Sequence, residues 1–518
     1  MTNRIVSAMA KKKDGDKRGS RQDAAGECDL DDGYVSPVAS FRDITFENIR
    51  SLVTKSRYVQ ALILLTIAGF ILRFYNLGYN SLWLDEATTY SYSSHSIFGI
   101  WGLTTGGEFN PPLFYWIEHV LLMFGNSEAI LRFVPALLGV LSIPVFYLVG
   151  KEFLDRNTGI IAAAACAVSP FLIYYSQEAR AYAVMLFFVA LATLFFLKAM
   201  KTGSWTEWVL FGVFSALAFW THFYAFVMIA ALVLYALIIW APKIRTELNN
   251  LKLLAAGVVV FVVLTLPLIL VTIGLFATRT ASAPTYGIQG LTLIPETFSQ
   301  ISGFNELVMV LFIVLFAIGI IQAFLIDKNK GIFLVLVTIL TFVISFILSF
   351  KMPMLPRYLI FLTLVFFIGI ALCYRTLYSL WRSRAVVYCF IAMFCIISGA
   401  SLAASGYYTG YSKEDWRGFS QALAERTSPG DIVVAVPGYM TQPLDYYYSA
   451  GKDNTRESGA TTGKDLENVY AGRGNSTIFF VVTSDISAAD PNGDAVLWLK
   501  NNTKFAGQDT GIYLFTSQ

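Results

Sequence analysis

The chain of 518 residues is 56% hydrophobic and 14% charged, with a mean hydropathy of +0.59. This composition excludes an ordinary soluble enzyme, because recurrent apolar runs of about 20 residues are long enough to cross a bilayer core of roughly 30 Å. The net charge of +3 points to no particular partner, and nucleic acid is not expected as one. The five cysteines show neither metal-site spacing nor the pattern of a disulfide framework.

The N-terminal 57 residues are polar and contain the basic cluster Lys11-Lys12-Lys13, followed by Lys17 and Arg18. The apolar stretch that begins near Tyr58 lies too far along the chain to be a cleaved signal peptide. We predict that residues 1–57 form a disordered cytoplasmic tail that can contact anionic membrane lipids.

Apolar runs and basic turns predict about eleven transmembrane helices between residues 58 and 403. With the tail inside, the first span places a large loop, residues 78–129, on the outer face. Within it, residues 112–124 are too short for a span and are predicted to form an amphipathic helix at the outer interface. The predicted spans are 58–77, 130–150, 158–175, 181–198, two within 206–241 that turn near His222, 252–275, 305–326, 331–350, 359–374 and 385–403.

Residues 404–518 are soluble in character and are predicted to lie outside the cytoplasm. Helix and strand patterns alternate there, which predicts a small α/β domain, and no nucleotide-binding glycine motif occurs in it. Two sequons begin at Asn475 and Asn501 and could make this domain a glycosylation target itself, although such triplets often arise by chance. The predicted elements are a helix over 415–426, strands over 432–436 and 478–482, and a helix over 494–500.

Four predicted outer turns carry polar residues close to the membrane, although no lysine or arginine occurs between Asn76 and Leu131. Each charge alone can be an interfacial anchor or a structural ion pair, but their convergence on one face indicates a site. The guanidinium group of arginine presents paired N–H donors that match the oxygens of a phosphate. A carboxylate can take the proton from an acceptor hydroxyl. The residues are Asp85, Glu86, Glu178, Arg180, His222, Arg357 and Tyr358.

Six short motifs, in their order and spacing, resemble those of the GT-C glycosyltransferases. The similarity is greatest to the branch of the protein O-mannosyltransferases and the aminoarabinose transferases that modify lipid A, and it covers roughly residues 58–450. The motifs are Trp83-Leu84-Asp85-Glu86, Asn110-Pro111-Pro112-Leu113-Phe114-Tyr115, Leu131-Arg132-Phe133-Val134-Pro135, Tyr175-Ser176-Gln177-Glu178-Ala179-Arg180, Pro356-Arg357-Tyr358 and Asp415-Trp416-Arg417-Gly418-Phe419.

The resemblance implies a dolichyl or undecaprenyl monophosphate sugar as donor, transfer outside the cytoplasm and inversion at the sugar carbon. Asp85 matches the acidic residue that activates the acceptor, and Glu86 is expected to support or orient it. Arg180 and Arg357 occupy positions expected to meet the donor phosphate, with Tyr358 beside them. His222 matches a turn where some relatives carry a substrate-site histidine.

One position departs from the family pattern, because many members have a basic residue or a histidine where this chain has Asn110. Asparagine can hydrogen-bond a sugar or phosphate but brings no charge, so the identity of the sugar stays open. This branch requires no metal and the carboxylates show no clear ligand set, although Asp85 with Glu86 could hold a divalent ion.

Several alternatives remain open on the sequence. A transporter or flippase of a polyprenyl-linked sugar would also need many spans, but such sites usually lie near the midplane between internal repeats, and no repeat is visible. An oligosaccharide ligase or polymerase with a lipid diphosphate donor fits the motif order less well. A membrane anchor for the C-terminal domain would leave the charges unexplained. The acceptor can be a protein hydroxyl, a glycan or a lipid.

Overall fold

The computed structural model describes residues 28–31, 33–37, 43, 45–108, 110–280, 284, 286–411, 413–448 and 455–517. The basic cluster of the predicted tail therefore lies outside the described residues. Further along, the structure differs from the predicted disorder, because Phe46–Lys55 form a helix that Thr45 caps. Asp31 accepts hydrogen bonds from the Ser56 hydroxyl (2.8 Å) and the Arg57 N–H (2.6 Å), which ties this segment to the next helix.

Long apolar helices make up most of the chain. In the described part, eight helices are long and apolar enough to cross a membrane, or nine if one bent pair forms a single span, so the predicted eleven stays a prediction. The helices are α1 Phe46–Lys55, α2 Arg57–Phe74, α3 Leu84–Ser93, α4 Ile97–Thr105, α5 Leu113–Leu121, α6 Glu128–Leu131, α7 Phe133–Phe153, α8 Arg156–Val168, α9 Pro170–Ser176, α10 Tyr182–Thr202, α11 Trp205–Thr221, α12 Ala225–Trp240, α13 Ile244–Arg279, α14 Leu293–Ile301, α15 Glu306–Ile326, α16 Lys328–Ser349, α17 Leu362–Trp381 and α18 Ala385–Ala404.

The bent pair consists of α8 and α9, which meet at an angle of 58°. Ser169 caps α9 by accepting a hydrogen bond from the Leu172 N–H, and Pro170 takes the first helical position, where no N–H is needed. Small residues from Ala162 to Ala167 are fully buried, which lets neighbouring helices approach α8 closely. After the bend, α9 ends at Ser176, just before the predicted site residues Glu178 and Arg180.

The predicted amphipathic helix is confirmed as α5, which continues into a short 3-10 turn at Leu122–Phe124. The predicted turn near His222 is also confirmed, because α11 ends at Thr221 and α12 begins at Ala225. We call the end of the helical bundle that carries residues 75–132 the loop face.

The C-terminal domain is a five-stranded sheet with helices, in the strand order β2-β1-β3-β5-β4. Strand β1 pairs in parallel with β2 and with β3. Strand β5 pairs antiparallel with β3 and with β4. The predicted helices and the strands β1 and β3 are present. The remaining elements follow from the structure: α19 Trp416–Arg426, β1 Ile432–Val436, α20 Thr441–Tyr447, β2 Arg456–Gly459, α21 Gly463–Ala471, β3 Ile478–Thr483, α22 Ile486–Ala489, α23 Asp494–Asn502, β4 Thr503–Asp509 and β5 Ile512–Ser517.

This domain docks on the loop face. Leu84, at the start of α3, packs against the buried core of the domain. Arg417 forms an ion pair of 2.5 Å with Glu128, and the Tyr447 hydroxyl donates to Glu128 (2.7 Å) and accepts from the Leu82 N–H (2.7 Å). These contacts hold the C-terminal domain against the start of α3.

Candidate active site

The Asp85 carboxylate lies between two arginines on the loop face. It occupies the first turn of α3, where the helix dipole favours negative charge. Its Oδ2 atom is 3.4 Å from Arg357 Nη2 and 3.8 Å from Arg180 Nε. These three side chains come from separate parts of the chain and meet as predicted. The carboxylate is only half-buried, so a substrate can reach it.

Aromatic rings lie close to both guanidinium groups. Arg357 lies 5.5 Å from the ring of Trp83, 5.7 Å from that of Tyr182 and 5.8 Å from that of Tyr358, and Arg180 lies 5.9 Å from Tyr182. Burial alone would lower the pKa of each arginine, but Asp85 and the tyrosines raise both well above the ordinary value. Both arginines therefore stay charged in a partly dry environment.

Three hydrogen-bond donors in this cluster have no partner among the described residues. They are Arg357 Nε, Trp83 Nε1 and the Tyr182 hydroxyl, and all three atoms are buried. Buried donors without a partner are rare and need an explanation. A bound anion with several acceptor oxygens would satisfy them.

Glu86 has a different environment from its neighbour. Its carboxylate is buried and binds Arg132 through two contacts of 2.7 Å, Lys413 at 2.9 Å and the Ala179 N–H at 2.8 Å. Burial would raise the pKa of Glu86, but Arg132 and Lys413 outweigh it and lower the pKa to about 2. Arg132 also donates to three backbone carbonyls of the loop, at Leu77, Asn80 and Ser81.

Glu178 lies beside this cluster. It is buried, Lys413 Nζ is 3.7 Å from its Oε1, and neither carboxylate oxygen has a hydrogen-bond partner in the described part. Burial raises its pKa above the ordinary value. Glu178 is thus on the Glu86 side of the site, whereas Arg180, two residues later, is on the Asp85 side.

His222 belongs to an aromatic cluster. Its ring centroid is 5.6 Å from Tyr182 and 5.3 Å from Tyr358, and its Nδ1 accepts from the Tyr224 N–H at 3.3 Å. Burial, aided by the charges of Arg180 and Arg357, lowers the pKa of His222 to about 3. The imidazole is therefore neutral at physiological pH.

Asn110 makes hydrogen bonds within its own loop. Its side-chain nitrogen donates to Glu108 Oε1 (3.0 Å) and to the Tyr115 hydroxyl (3.4 Å), and Tyr115 in turn donates to Glu108 (3.0 Å). These contacts form a polar network at the start of α5.

The carboxylates of Asp85 and Glu86 bind different cations and do not converge on a single point. Within the described ranges, no group of three or more His, Cys, Asp or Glu residues could hold a metal ion.

The sequence did not assign a role to four residues that complete the site. Trp83 and Arg132 stand inside the quoted motifs, so their motif membership was the available signal. Tyr182 follows Arg180 by two residues. Lys413 lies in the linker, the segment between the end of α18 at Ala404 and the start of α19 at Trp416, and no local pattern distinguishes it from a surface lysine.

An apolar cavity of about 700 Å³ opens beside the site among α11, α12, α13 and α16. Its lining includes Glu108 and Tyr224, and the ring of Tyr224 stacks on that of Tyr358 at 4.9 Å. The cavity therefore borders the aromatic cluster around Arg357. The other lining residues are almost all apolar, among them Phe219, Phe223, Phe261, Ile273 and Leu348.

Comparison of sequences relates part of the chain to a known family. Residues 110–270 match the family described as dolichyl-phosphate-mannose-protein mannosyltransferase. An uncharacterized protein of Aquifex aeolicus (strain VF5) is 31% identical over 209 residues, which cover 38% of this chain and 41% of that protein. The match thus spans about two fifths of the length of that curated relative.

Comparison of structures covers nearly the whole chain. ArnT from Cupriavidus metallidurans in the apo state aligns with a TM-score of 0.59 at 14% identity, over 89% of this chain and 98% of ArnT. ArnT bound to undecaprenyl phosphate gives 0.53 at 13% identity, over 88% and 97%. The apo oligosaccharyltransferase of Archaeoglobus fulgidus gives 0.54 at 14% identity, over 90% and 75%. The predicted resemblance is therefore confirmed: residues 110–270 match a mannosyltransferase family, and the chain has the long apolar helices and the fold of the GT-C glycosyltransferases.

Proposed function

We propose that this protein is a glycosyltransferase that moves a sugar from a polyprenyl monophosphate, dolichyl or undecaprenyl, to an acceptor on the extracytoplasmic face. The observation that carries the proposal is the Asp85 carboxylate held between Arg180 and Arg357 at distances of 3.8 and 3.4 Å. A base and a pair of phosphate-binding cations within one small site are the groups that such a transfer needs.

The donor phosphate would lie against the arginines. Arg357 Nε, Trp83 Nε1 and the Tyr182 hydroxyl, which have no partner in the part of the chain that the structure describes, would donate to its oxygens. The polyprenyl chain would fill the apolar cavity of about 700 Å³, because Tyr224 links that cavity to Tyr358 and Arg357. The structure of ArnT with undecaprenyl phosphate supports a lipid phosphate of this kind in the fold.

The reaction would be a single displacement. Asp85 accepts the proton of the acceptor hydroxyl, the acceptor oxygen bonds to the anomeric carbon, and the bond from that carbon to the phosphate oxygen breaks. Attack from the face opposite to the leaving group inverts the sugar carbon. Arg180 and Arg357 stabilise the charge that grows on the leaving phosphate.

The two arginines link donor binding to the basicity of Asp85. Their contacts with the carboxylate are longer than the usual 2.7–2.9 Å of a charge-assisted hydrogen bond. A donor phosphate would compete for both guanidinium groups and leave the carboxylate less neutralised. Asp85 would then be available to take a proton when the donor is in place.

Glu86 would act as a positioning residue. Its bonds to Arg132 and Lys413 hold the start of α3, and its low pKa leaves it a poor proton acceptor. Neutral His222 would contribute a ring to the wall of the donor site. A transporter or flippase is not favoured, because the ionisable residues of the site gather at the loop face.

We expect Arg357→Ala to raise the KM for a polyprenyl-phosphate sugar by about 10- to 100-fold, since a hydrogen bond to a charged group contributes about 1.5–3 kcal/mol. Arg357→Lys should recover only part of the loss, because lysine cannot present two parallel donors. The measurement is transfer from a radiolabelled donor by the purified protein in nanodiscs.

The matched control is Arg375→Ala, which removes an arginine that pairs with Asp155 at 3.1 Å, away from the site. An unchanged donor KM in a folded Arg357→Ala variant would contradict the phosphate site. Mass spectrometry of glycans and glycolipids from a deletion strain tests the function itself, with the loss of one sugar expected.

A further inference from the structure

A second cavity, of about 490 Å³, lies on the loop face between the end of α9, the Gly303-Phe304 turn, the end of α18 and the linker to the C-terminal domain. We call it the tyrosine cavity after Tyr174, Tyr175, Tyr407 and Tyr411, which line it. It shares no lining residue with the apolar cavity. The two cavities are therefore distinct.

The lining of the tyrosine cavity combines ring faces with hydrogen-bonding groups. Besides the four tyrosines it contains the hydroxyls of Ser401, Ser405 and Thr409 and the amide of Gln300. Aromatic rings pack against the C–H faces of a sugar ring, and hydroxyl and amide groups pair with its hydroxyls. This chemistry fits a saccharide better than a polyprenyl chain.

The inner wall of the tyrosine cavity reaches the reaction centre. The ring of Tyr175 packs against that of Tyr182 at 5.3 Å, and the ring of Tyr182 lies 5.7 Å from the Arg357 guanidinium, which is 3.4 Å from the Asp85 carboxylate. The ring of Tyr174 lies 5.7 Å from Lys413 Nζ. A ligand seated against Tyr174 and Tyr175 would thus have one end close to Asp85.

Hydrogen bonds hold the outer wall in place. The Tyr407 hydroxyl donates to Gln177 Oε1 at 2.7 Å, and the Tyr408 hydroxyl donates to the Leu72 carbonyl. The ring of Tyr411 stacks on that of Tyr79 at 5.0 Å. The linker is therefore a fixed wall, and exposed Phe304 and Tyr411 mark the mouth of the cavity.

We propose that the tyrosine cavity is the acceptor subsite and that the acceptor is a saccharide, either free or carried on a membrane lipid. The proposal rests on the proposed function for the bond that forms, from an acceptor hydroxyl oxygen to the anomeric carbon of the donor. That hydroxyl gives its proton to Asp85, and the polyprenyl phosphate leaves. The donor occupies the apolar cavity, so both substrates reach the arginine pair without crossing.

The test fills the cavity from its exposed edge with Ser405→Trp, and Ser383→Trp, at an exposed helix end away from the cavity, is the matched control. A second pair, Tyr411→Ala and Tyr388→Ala, removes one exposed ring at the mouth and one elsewhere. Binding is measured by saturation-transfer NMR on the full-length protein in nanodiscs. The probes are glycolipids from the source membranes, the oligosaccharides released from them, and a serine- and threonine-rich peptide.

Saccharide binding to the wild type that falls about tenfold or more in Ser405→Trp and Tyr411→Ala, but not in the controls, would support the proposal. Binding of both saccharide probes would identify a free glycan as sufficient, and binding of the glycolipid alone would identify a lipid carrier. No saccharide binding, equal effects in the controls, or binding of the peptide alone would overturn it.

Donor-dependent transfer separates this proposal from the function on which it rests. In Ser405→Trp we expect a higher KM for the saccharide and an unchanged KM for the donor. If the wild type binds saccharide in this cavity but transfers no sugar, the subsite stands and the proposed function fails. If transfer occurs while Ser405→Trp leaves the acceptor KM unchanged, the function stands and the subsite fails.

Discussion

Replacing Asp85 with asparagine is expected to lower kcat by about 10²- to 10⁴-fold, the usual contribution of a general base. Asparagine has nearly the same shape, and Arg180 also donates to the backbone carbonyl of residue 85 at 3.2 Å, so α3 and Arg180 should keep their places. The loss would then reflect the missing proton acceptor. Donor binding should be retained or strengthened, because a phosphate no longer competes with the carboxylate for the arginines.

The measurement is turnover of a radiolabelled polyprenyl-phosphate sugar, together with donor binding by the same preparation. Asp327→Asn is the matched control, since Asp327 forms an exposed ion pair of 3.5 Å with Lys330 away from the site. Turnover of Asp85→Asn at the wild-type rate would remove Asp85 from the role of base. A loss of donor binding equal to the loss of turnover would instead assign Asp85 to holding the arginines.

The part of the site that could be predicted consists of charges placed next to apolar spans. Asp85, Arg180 and Arg357 each stand at a predicted outer turn, and the cost of a charge near hydrocarbon implies that such groups face each other. Their meeting follows from topology alone. The precise partners do not, because Glu86 is the neighbour of Asp85 in sequence yet turns to Arg132 and Lys413.

Lys413 shows why the remainder could not be predicted. It lies 327 residues from Glu86 in sequence, and only the docking of the C-terminal domain brings the two together. Hydrophobic periodicity reports on one element at a time and carries no information on such long-range pairs. Asn110 and His222 differ from Lys413, since the hydrogen bonds of each lie within its own turn.

The fold shows a related contrast. Apolar runs predicted the long helices and the central strands β1 and β3, because burial on both faces requires continuous apolar residues. Strands β2 and β4 lie at the sheet edges with polar, largely exposed sequences and gave no strand signal. The helix at Phe46–Lys55 was also missed, because its polar residues resemble a disordered tail.

Removing the buried charge of Glu86 should produce the largest loss of stability among single substitutions at the site. Glu86→Gln leaves Arg132 buried without the carboxylate that it binds and leaves Lys413 only Glu178, at 3.7 Å, and breaking a buried ion pair in this way costs about 3–5 kcal/mol. The measurement is the Tm of the protein in nanodiscs, followed by tryptophan fluorescence. Glu152→Gln is the control, because its partly exposed pair with Lys201 should contribute at most about 1 kcal/mol.

The lowered pKa of Glu86 also makes the stability of the protein depend on pH. The folded protein holds this carboxyl at a pKa of about 2, below the ordinary 4.5, so its contribution to stability is complete above pH 4.5. That contribution is lost as the pH falls from 4.5 towards 2, because the unfolded chain then binds the proton first. The fall in Tm between pH 4.5 and pH 2 should therefore be smaller in Glu86→Gln than in the wild type, whereas Glu152→Gln should leave that fall unchanged.

A double variant separates charge from packing in this cluster. Glu86→Gln combined with Lys413→Met removes one of the two buried cations that lost the Glu86 carboxylate, so its Tm should lie above that of Glu86→Gln alone. Lys413→Met alone should lower the Tm less than Glu86→Gln does, because Arg132 still neutralises Glu86 through two contacts of 2.7 Å. Additive effects of the two substitutions would mean that the linker lysine is not coupled to Glu86, and that the C-terminal domain is held to the loop by other contacts, among them those at Glu128, Leu82 and Ser81.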